Sequence, residues 1–512
     1  MEELNQQPEI EKQADIEHQP VPKNDFSFDV LKLVGGTTIA QVVGILASPV
    51  IARLFSPADF GLAANFTSIV MILSVFVCLR YELTIMLPKT RDEAANQFGV
   101  SVLSVIVISL ISLPLLWFSK GLIQNWLNAP DLVPYFGLIS ITVLLTGVFQ
   151  ALNYWNTRSR QFLRLSAAQI TRSVAEFGSK IVVGLAGFAS GGSMIMTTAF
   201  GQAVSSLVLG WQILKDDGEF LWRNIRLKPM LEGAKRYKKF PIYNTWAALF
   251  NTFSQQLPTF LLTAYFSTTV AGHYNMGYKI LRLPMALIGT SIAQVFFQRA
   301  SKARHDGTLA RLVEDTSHRL IVYGLFPMML LTVSGQEIFI VAFGERWAEA
   351  GLYSQILSIW TFFVLISSPM STLMSVLEKN EFSLVFTTIL FITRFMTLFI
   401  GGLMHNAIVG LVLYSVTGSL SYLYLQFYLS NLAGVPIKRS VWLITSNIFY
   451  SSPFLFLVGI AKWLSSSNPL VVTVVSGLVG IAYYVSLYFT EPTVKEAAQE
   501  ILQRFRLRRV SS

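Results

Sequence analysis

Charge is scarce in this 512-residue sequence. Asp, Glu, Lys and Arg make up 13% of it, about half the ~25% of an ordinary soluble domain. Hydrophobic residues make up 53%, and the mean hydropathy is +0.53. That balance excludes an ordinary soluble enzyme. It also excludes a disordered chain, which is polar and poor in aromatics; here there are 38 Phe, 18 Tyr and 10 Trp. Cysteine is nearly absent. Cys78 stands alone in an apolar run, so no disulfide can form within the chain, and it reads as a small buried apolar residue. The five histidines show no metal-ligand spacing. No Walker A sequence, GxSxG or HExxH occurs. These absences predict no catalytic residue, no metal, no cofactor and no enzyme activity. Energy coupling would then come from an ion gradient or from substrate supply. The first 29 residues also lack an apolar stretch, which argues against a cleavable signal peptide. With Pro8, Pro20 and Pro22, the segment 1–29 reads as a disordered cytoplasmic tail.

What is present is length in apolar runs. The excess apolar surface has to face lipid, and a bilayer core takes about 20 mainly apolar residues per helix. Only helices and closed barrels satisfy their backbone in lipid, and strand-like alternation is missing. The pattern predicts an all-α polytopic membrane protein with about fourteen transmembrane helices. Six of them, Val30–Leu54, Phe60–Leu79, Phe98–Phe118, Tyr135–Trp155, Ser166–Phe188 and Ser193–Leu214, form an N-terminal lobe over 30–214. The loop 215–240 follows. Six more, Pro241–Phe266, Val270–Gln298, Leu320–Val341, Leu352–Leu377, Ser383–Leu403 and Ala407–Leu429, form a C-terminal lobe over 241–430. Two additional helices, Val441–Trp463 and Pro469–Phe489, occupy 441–490, and a basic cytoplasmic tail covers 491–512.

Lys and Arg set the orientation. With the N-terminus inside, 30 of the 39 basic residues fall on the inner side, 4 on the outer side and 5 within the membrane. The protein is therefore read as N-in and C-in. The net charge of +10 is mostly topology, and nucleic acid is not expected as a partner. The run from Lys235 to Lys239 reads as an anchor near anionic lipid. The outer loops are short, the longest running from Ser119 to Pro134.

A weak internal repeat joins the lobes. Phe55-Ser56 precedes Gly61, and Phe266-Ser267 precedes Gly272 at the same spacing. Each copy sits at the outer hairpin after the first helix of its lobe. Six helices separate the copies, so the lobes have parallel topology about an axis along the membrane normal.

Charge reappears at mid-membrane, where each ionised group costs about 2.5–3.5 kcal/mol. Arg172 and Lys180 on helix five, Lys279 and Arg282 on helix eight, and Arg394 on helix eleven accompany a single deep acid, Glu176. Arg172, Glu176 and Lys180 fall within about 80° of one helix face. Lys279 and Arg282 share a face as well. A cationic cavity holding a diphosphate at the midplane accounts for this surplus, since Arg forks onto phosphate and Lys acts as a point charge. Glu176 is either an ion-pair partner or a proton site. Gln41 on helix one and Asn244, Asn251 and Gln255 on helix seven either line the cavity or bond between helices.

Three segments carry a resemblance: Arg53-Leu54-Phe55-Ser56-Pro57-Ala58-Asp59-Phe60-Gly61, Arg80-Tyr81-Glu82-Leu83-Thr84-Ile85-Met86-Leu87-Pro88-Lys89, and Tyr154-Trp155-Asn156-Thr157-Arg158-Ser159-Arg160-Gln161-Phe162. Ala271-Gly272-His273-Tyr274 and Leu283-Pro284 add to it. The sequence resembles the bacterial polysaccharide-biosynthesis flippases for O-antigen or exopolysaccharide, within the multidrug/oligosaccharidyl-lipid/polysaccharide exporter superfamily. The resemblance implies two lobes forming a V and alternating access. It further implies a polyprenyl-diphosphate-linked oligosaccharide carried across the bacterial inner membrane among membrane lipid, with polysaccharide polymerase or chain-length machinery as partners. No role passes to Arg80 or Glu82. Two alternatives stand beside it, an ion-coupled multidrug or organic-cation antiporter and a lipid II flippase. One deep acid against five cations speaks against a cationic substrate. A membrane polymerase or ligase would need a large outer loop, which is missing.

Overall fold

The computed structural model describes residues 23–285, 290–492 and 494–495. Helix α1 is Lys23–Leu54, α2 Pro57–Val77, α3 Arg91–Phe118 and α4 the short Lys120–Leu127. Then come α5 Phe136–Arg158, α6 Phe162–Leu185, α7 Gly191–Asn224 and α8 Leu227–Arg236. The second half holds α9 Thr245–Tyr265, α10 Thr268–Leu281, α11 Thr290–His305, α12 Leu309–Phe343 and α13 Ala348–Met370. The one-turn α14 Leu373–Val376, α15 Asn380–Leu403, α16 Ala407–Leu432, α17 Ile437–Leu464 and α18 Pro469–Thr490 complete it. No strand occurs among the described residues.

Eleven helices among the described residues are long and apolar enough to cross a membrane. The three expected spans that fall short are the polar ones. Helix α6 carries Arg164, Arg172, Glu176 and Lys180; α9 carries Asn251, Gln255 and Gln256. The span expected at Val270–Gln298 is not one continuous helix. It stops at Leu281, with Arg282 as its cap; helical residues follow at 283–285 and again from Thr290, on either side of 286–289, which lie outside the described residues. Pro284 has no N–H and its ring crowds the carbonyl four residues back, which ends the run.

Three other expected boundaries move. Of the tail 1–29, residues 1–22 lie outside the described residues, but α1 already begins at Lys23. The segment 215–240 is largely helical: α7 continues to Asn224, and α8 follows. At about 1.5 Å per residue, the 34-residue α7 outruns a bilayer core of about 30 Å. Its extension is pinned by charge, Arg164 to Asp216 and Arg91 to Asp217, while Trp155 Nε1 donates to Asp217 Oδ2 at 2.8 Å. Nearly all of the basic tail 491–512 lies outside the described residues.

The first lobe packs α1 along α6, α6 on α7, and α5 against α3 and α7. The second packs α13 between α12 and α16, with α15 on α16. Helix α12 kinks at Ser334 (φ −125°, ψ 16°). The kink leaves the Val333 carbonyl free to accept from Gln355 Nε2 at 3.1 Å and Lys462 Nζ at 3.0 Å. Lys462 also pairs with buried Glu337 at 2.8 Å. This clamp and the stacked Phe326–Tyr483 rings, 3.9 Å apart, fasten α17 and α18 to α12.

The lobes meet chiefly through α2 and α10. Ser56 caps α2 in a capping box with Asp59, and Ser267 caps α10 by accepting from the Val270 N–H at 3.2 Å. A Cβ on Gly61 would lie 1.7 Å from the Thr268 carbonyl oxygen, and one on Gly272 would lie 1.9 Å from that of Pro57. The two clashes are related by the same 211-residue offset, so the faint sequence repeat is a reciprocal backbone contact. From it the seam runs along α2: Asn65 Nδ2 donates to Thr263 Oγ1 at 2.8 Å, and Ser68 Oγ to Gln256 Oε1 at 2.8 Å. Beside it Trp347 Nε1 donates to the Ala52 carbonyl at 2.7 Å, and Arg53 Nη2 to that of Val341 at 3.0 Å. Toward the opposite end Tyr243 and Trp246 are exposed. The lobes are thus joined at the Ser56 end, and at the other end Phe76 of α2 still meets Trp246 of α9 edge-on at 6.0 Å.

Gly61→Ala or Gly272→Ala should push the lobes apart at this seam, at a cost of about 1–3 kcal/mol. In a Cys78→Ala background, oxidative cross-linking of Asn65→Cys with Thr263→Cys should proceed readily. Adding either alanine should lower the yield severalfold; an unchanged yield would contradict the close approach.

Candidate functional site

The mid-depth cations divide into two groups. The first lies between the lobes. On α6, Lys180 Nζ is 2.6 Å from Glu176 Oε1, one turn apart, and Thr198 Oγ1 of α7 donates to the same oxygen at 3.3 Å. Glu176 is therefore an ion-pair partner in this conformation, as a desolvated Lys180 requires. Arg172 lies one turn before Glu176 on that face. From the second lobe, Lys279 Nζ crosses to donate to Ser48 Oγ on α1 at 3.2 Å. Lys180 and Lys279 each stand 5.4 Å from the Phe177 ring centroid, where the ring's negative face offsets part of the cationic cost. Lys279 sits about 16 Å into its helix yet is exposed. A side chain that is both deep and exposed lies on the wall of a cleft.

The second group belongs to the C-terminal lobe alone. Arg282 and Arg394 line a cavity of about 370 Å³ between α9, α10, α13, α15 and α16. Arg394 Nη1 donates to Ser254 Oγ at 3.2 Å and Nη2 to the Tyr422 hydroxyl at 3.5 Å. The Arg282 guanidinium lies 5.4 Å over Tyr278. Among the described residues neither arginine has a carboxylate within ion-pair distance, and no acid lines the cavity.

Lys279 and Arg282 therefore do not act as one face. The helix ends at Leu281, so Arg282, as its cap, turns to Tyr278 while Lys279 reaches the first lobe. Asn251 and Gln255 do line the cavity, and Gln255 Nε2 donates to Asn251 Oδ1 at 3.3 Å. Asn244 does not; it is exposed at the start of α9. On α1, the Gln41 side-chain oxygen is buried without a hydrogen-bond partner.

The aromatic wall of the cavity was not anticipated from the sequence. Tyr274 and Tyr278 stack at 5.7 Å, Tyr278 stacks on Trp360 at 5.5 Å, and Tyr414 meets Trp360 edge-on at 4.9 Å. The i, i+4 spacing of Tyr274 and Tyr278 and the two-turn spacing of Tyr414 and Tyr422 were the available signals.

The loop residues behind the resemblance brace the chain outside the cleft. Leu79 and Arg80 take left-handed φ values of 50° and 61°. Arg80 meets buried Glu82 at 3.4 Å, and burial pushes the Glu82 carboxyl up from the usual carboxylate range. Arg158 donates to the carbonyls of Ile85 at 3.0 Å and Pro88 at 2.7 Å. This holds the turn after α2 against the end of α5.

Residues 50–352 match the model of the polysaccharide biosynthesis protein family. The chain belongs to that family. Within reach of its sequence are the teichuronic acid biosynthesis protein TuaB of Bacillus subtilis (strain 168), 23% identical over 58% of this chain, and the lipopolysaccharide biosynthesis protein WzxC of Escherichia coli (strain K12), 22% identical over 73%. The matches span 60% of TuaB's length and 74% of WzxC's. The fold is shared with the lipid II flippase MurJ in an inward closed conformation, with a TM-score of 0.71 at 13% identity over 90% of this chain and 99% of MurJ. It is shared more distantly with an inward-facing multidrug-resistance transporter of the MATE family, at 0.52 and 12% identity over 78% and 94% of the two chains. This member of the family is therefore a multi-pass membrane protein with a fold shared by transporters.

Glu176→Gln should leave Lys180 buried and unpaired, at about 3–5 kcal/mol. The purified variant should melt well below wild type, and Glu176→Gln/Lys180→Gln should regain most of the loss. A melting point unchanged in the single variant would mean that the pair does not carry buried charge.

Proposed function

We propose that the protein is a flippase that carries a polyprenyl-diphosphate-linked oligosaccharide across the bacterial inner membrane by alternating access. The supporting observation is the mid-depth cationic surplus on the cleft. Lys279 and Arg172 stand at the interface between lobes with Lys180 and a single carboxylate, and Arg282 and Arg394 stand beyond it without any. Cations without carboxylates suit an anion, and a diphosphate is the densest anion on such a lipid. The names of the relatives, one in teichuronic acid and one in lipopolysaccharide biosynthesis, favour an exported glycan. Fourteen spans, N-in and C-in, put the joined Ser56 end of the seam outside, and such lipids would be loaded from the cytoplasmic side. Rocking of the lobes about the α2–α10 seam would then expose the cleft to the outside. A polysaccharide polymerase would receive the product there. A lipid II flippase is the second reading, favoured by the fold shared with MurJ. The cationic wall disfavours an organic-cation antiporter.

The test is transbilayer movement of labelled polyprenyl-diphosphate oligosaccharides and of lipid II in proteoliposomes. Wild type should move the oligosaccharide lipids. Arg172→Gln/Lys279→Gln should slow movement by roughly tenfold or more, since charge-assisted hydrogen bonds are worth about 1.5–3 kcal/mol each. Movement of lipid II alone would select the second reading, and movement of neither by folded protein would reject both.

A further inference from the structure

A polar nest lies apart from the cleft, where the last two helices join α12. The kink at Ser334 takes the Val333 carbonyl out of the helical ladder. Its oxygen accepts instead from Gln355 Nε2 and Lys462 Nζ. One turn on, the Glu337 side chain is only 4% exposed. Its Oε1 pairs with Lys462 at 2.8 Å, and its Oε2 is buried with no hydrogen-bond partner. A buried carboxylate oxygen left unpaired is costly, so a positive charge or a proton donor belongs beside it. Helix α18 supplies the facing wall. Phe326 stacks on Tyr483, and Ser476 Oγ donates to Ser334 Oγ at 3.1 Å. The two helices are therefore antiparallel, in a register that sets Glu337 level with Thr473. Thr473 Oγ1 is buried without a partner too, so the two orphaned oxygens are level but do not bond each other. Carboxylate, carbonyl and hydroxyl oxygens gathered at a break in a helix are ligands for a small, hard cation. One carboxylate balances one positive charge in lipid. A divalent or softer metal would want more, and no three His, Cys, Asp or Glu side chains come together to hold one among the described residues. The charge that sits in the nest is the Lys462 ammonium. Its side chain is 30% exposed, so its flexible stem can carry the ammonium to water without stranding it in lipid.

We infer that this nest is a site for one monovalent cation of sodium size, on the Glu337 carboxylate, the Val333 carbonyl and the Thr473 hydroxyl, and that the Lys462 ammonium is its built-in competitor. In this conformation the ammonium holds the place. When Lys462 swings out, a sodium ion takes it, and water from the open side completes the shell. The exchange is charge for charge, so Glu337 is never left as an uncompensated buried anion. It releases α17 from the kink of α12, because Lys462 is the side chain that ties them there. The site is separate from the cations of the cleft and stands whether or not the cargo is a glycan lipid.

The experiment follows Lys462 in the purified full chain, in sodium chloride and in choline chloride of equal ionic strength. A water-soluble N-hydroxysuccinimide ester acetylates free amines, and mass spectrometry reads each lysine. Lys462 should label severalfold faster in sodium, while exposed Lys228 labels alike in both salts. Radioactive sodium measures binding directly. Lys462→Gln, which lacks the competitor, should bind sodium roughly tenfold tighter than wild type, since entry no longer breaks a charge-assisted hydrogen bond. Glu337→Gln should bind none, and its Lys462 should label at one rate in both salts. Thr473→Val, which leaves the ion pair untouched, should bind sodium severalfold more weakly in protein that melts as wild type does. Equal labelling of wild-type Lys462 in the two salts would overturn the exchange. Absence of sodium from Lys462→Gln that melts as a folded protein, or undiminished sodium on Glu337→Gln, would overturn the site and leave Lys462 as a structural clamp alone.

Discussion

Lipid offers neither hydrogen bonds nor solvation to a charge, and the rest of this structure follows from that constraint. Each polar group at membrane depth has to be paired within the bundle or turned toward the cleft. Lys180 takes the first course, held by Glu176 and Thr198. Lys279 takes the second, and Arg282 and Arg394 line a separate cavity of the C-terminal lobe. Their positions mark out where water and cargo can enter as surely as the apolar faces of α15, α17 and α18 mark out where they cannot.

The same constraint shapes the junction of the lobes. Two helices that rock against each other, as proposed above, need a seam that is close-packed yet small. Gly61 and Gly272 let backbone meet backbone there, and short polar side chains, Asn65 with Thr263 and Ser68 with Gln256, continue the seam inward. Hydrogen bonds of this kind can be exchanged for water when the lobes part, whereas a broad interdigitated apolar core could not. The large side chains are kept at the margin, where Trp347 and Phe60 meet edge-on at 4.8 Å. The clamp of Lys462 on Glu337 and the Val333 carbonyl ties the last two helices to the kinked α12. Those two therefore belong to the C-terminal lobe as a mechanical unit.

Much of the fold was legible because hydropathy reports lipid directly. Apolar runs such as those of α3, α16 and α18 need no partner to be recognised. The spans that sequence alone rendered poorly are those whose polarity serves the cleft. Helix eight looked continuous because Arg282 and Pro284 interrupt an otherwise helical pattern by a single turn. The segment 215–240 looked like a loop because its charges interrupt the apolar runs on either side. In the structure Asp216 and Asp217 are bound to Arg164 and Arg91, which extends α7 beyond the membrane. The candidate site was legible as a set of cations and as the Asn251–Gln255 stripe. Its aromatic column was not, since Tyr274, Tyr278, Trp360 and Tyr414 come from three helices and resemble ordinary core residues one helix at a time.

Sequence by itself determined that the chain is helical and membrane-embedded, that its basic residues crowd one side, and that charge of one sign survives at mid-depth. These are properties of composition and order along the chain, and they hold whatever the helices touch. The tertiary structure decided how the five cations divide. Lys180 and Lys279 converge across the lobes on Phe177, while Arg282 and Arg394 retire into a cavity of one lobe. Which neighbour a charge meets depends on helix ends and crossings, and a cap placed at Arg282 rather than one turn later sends two adjacent cations to opposite lobes.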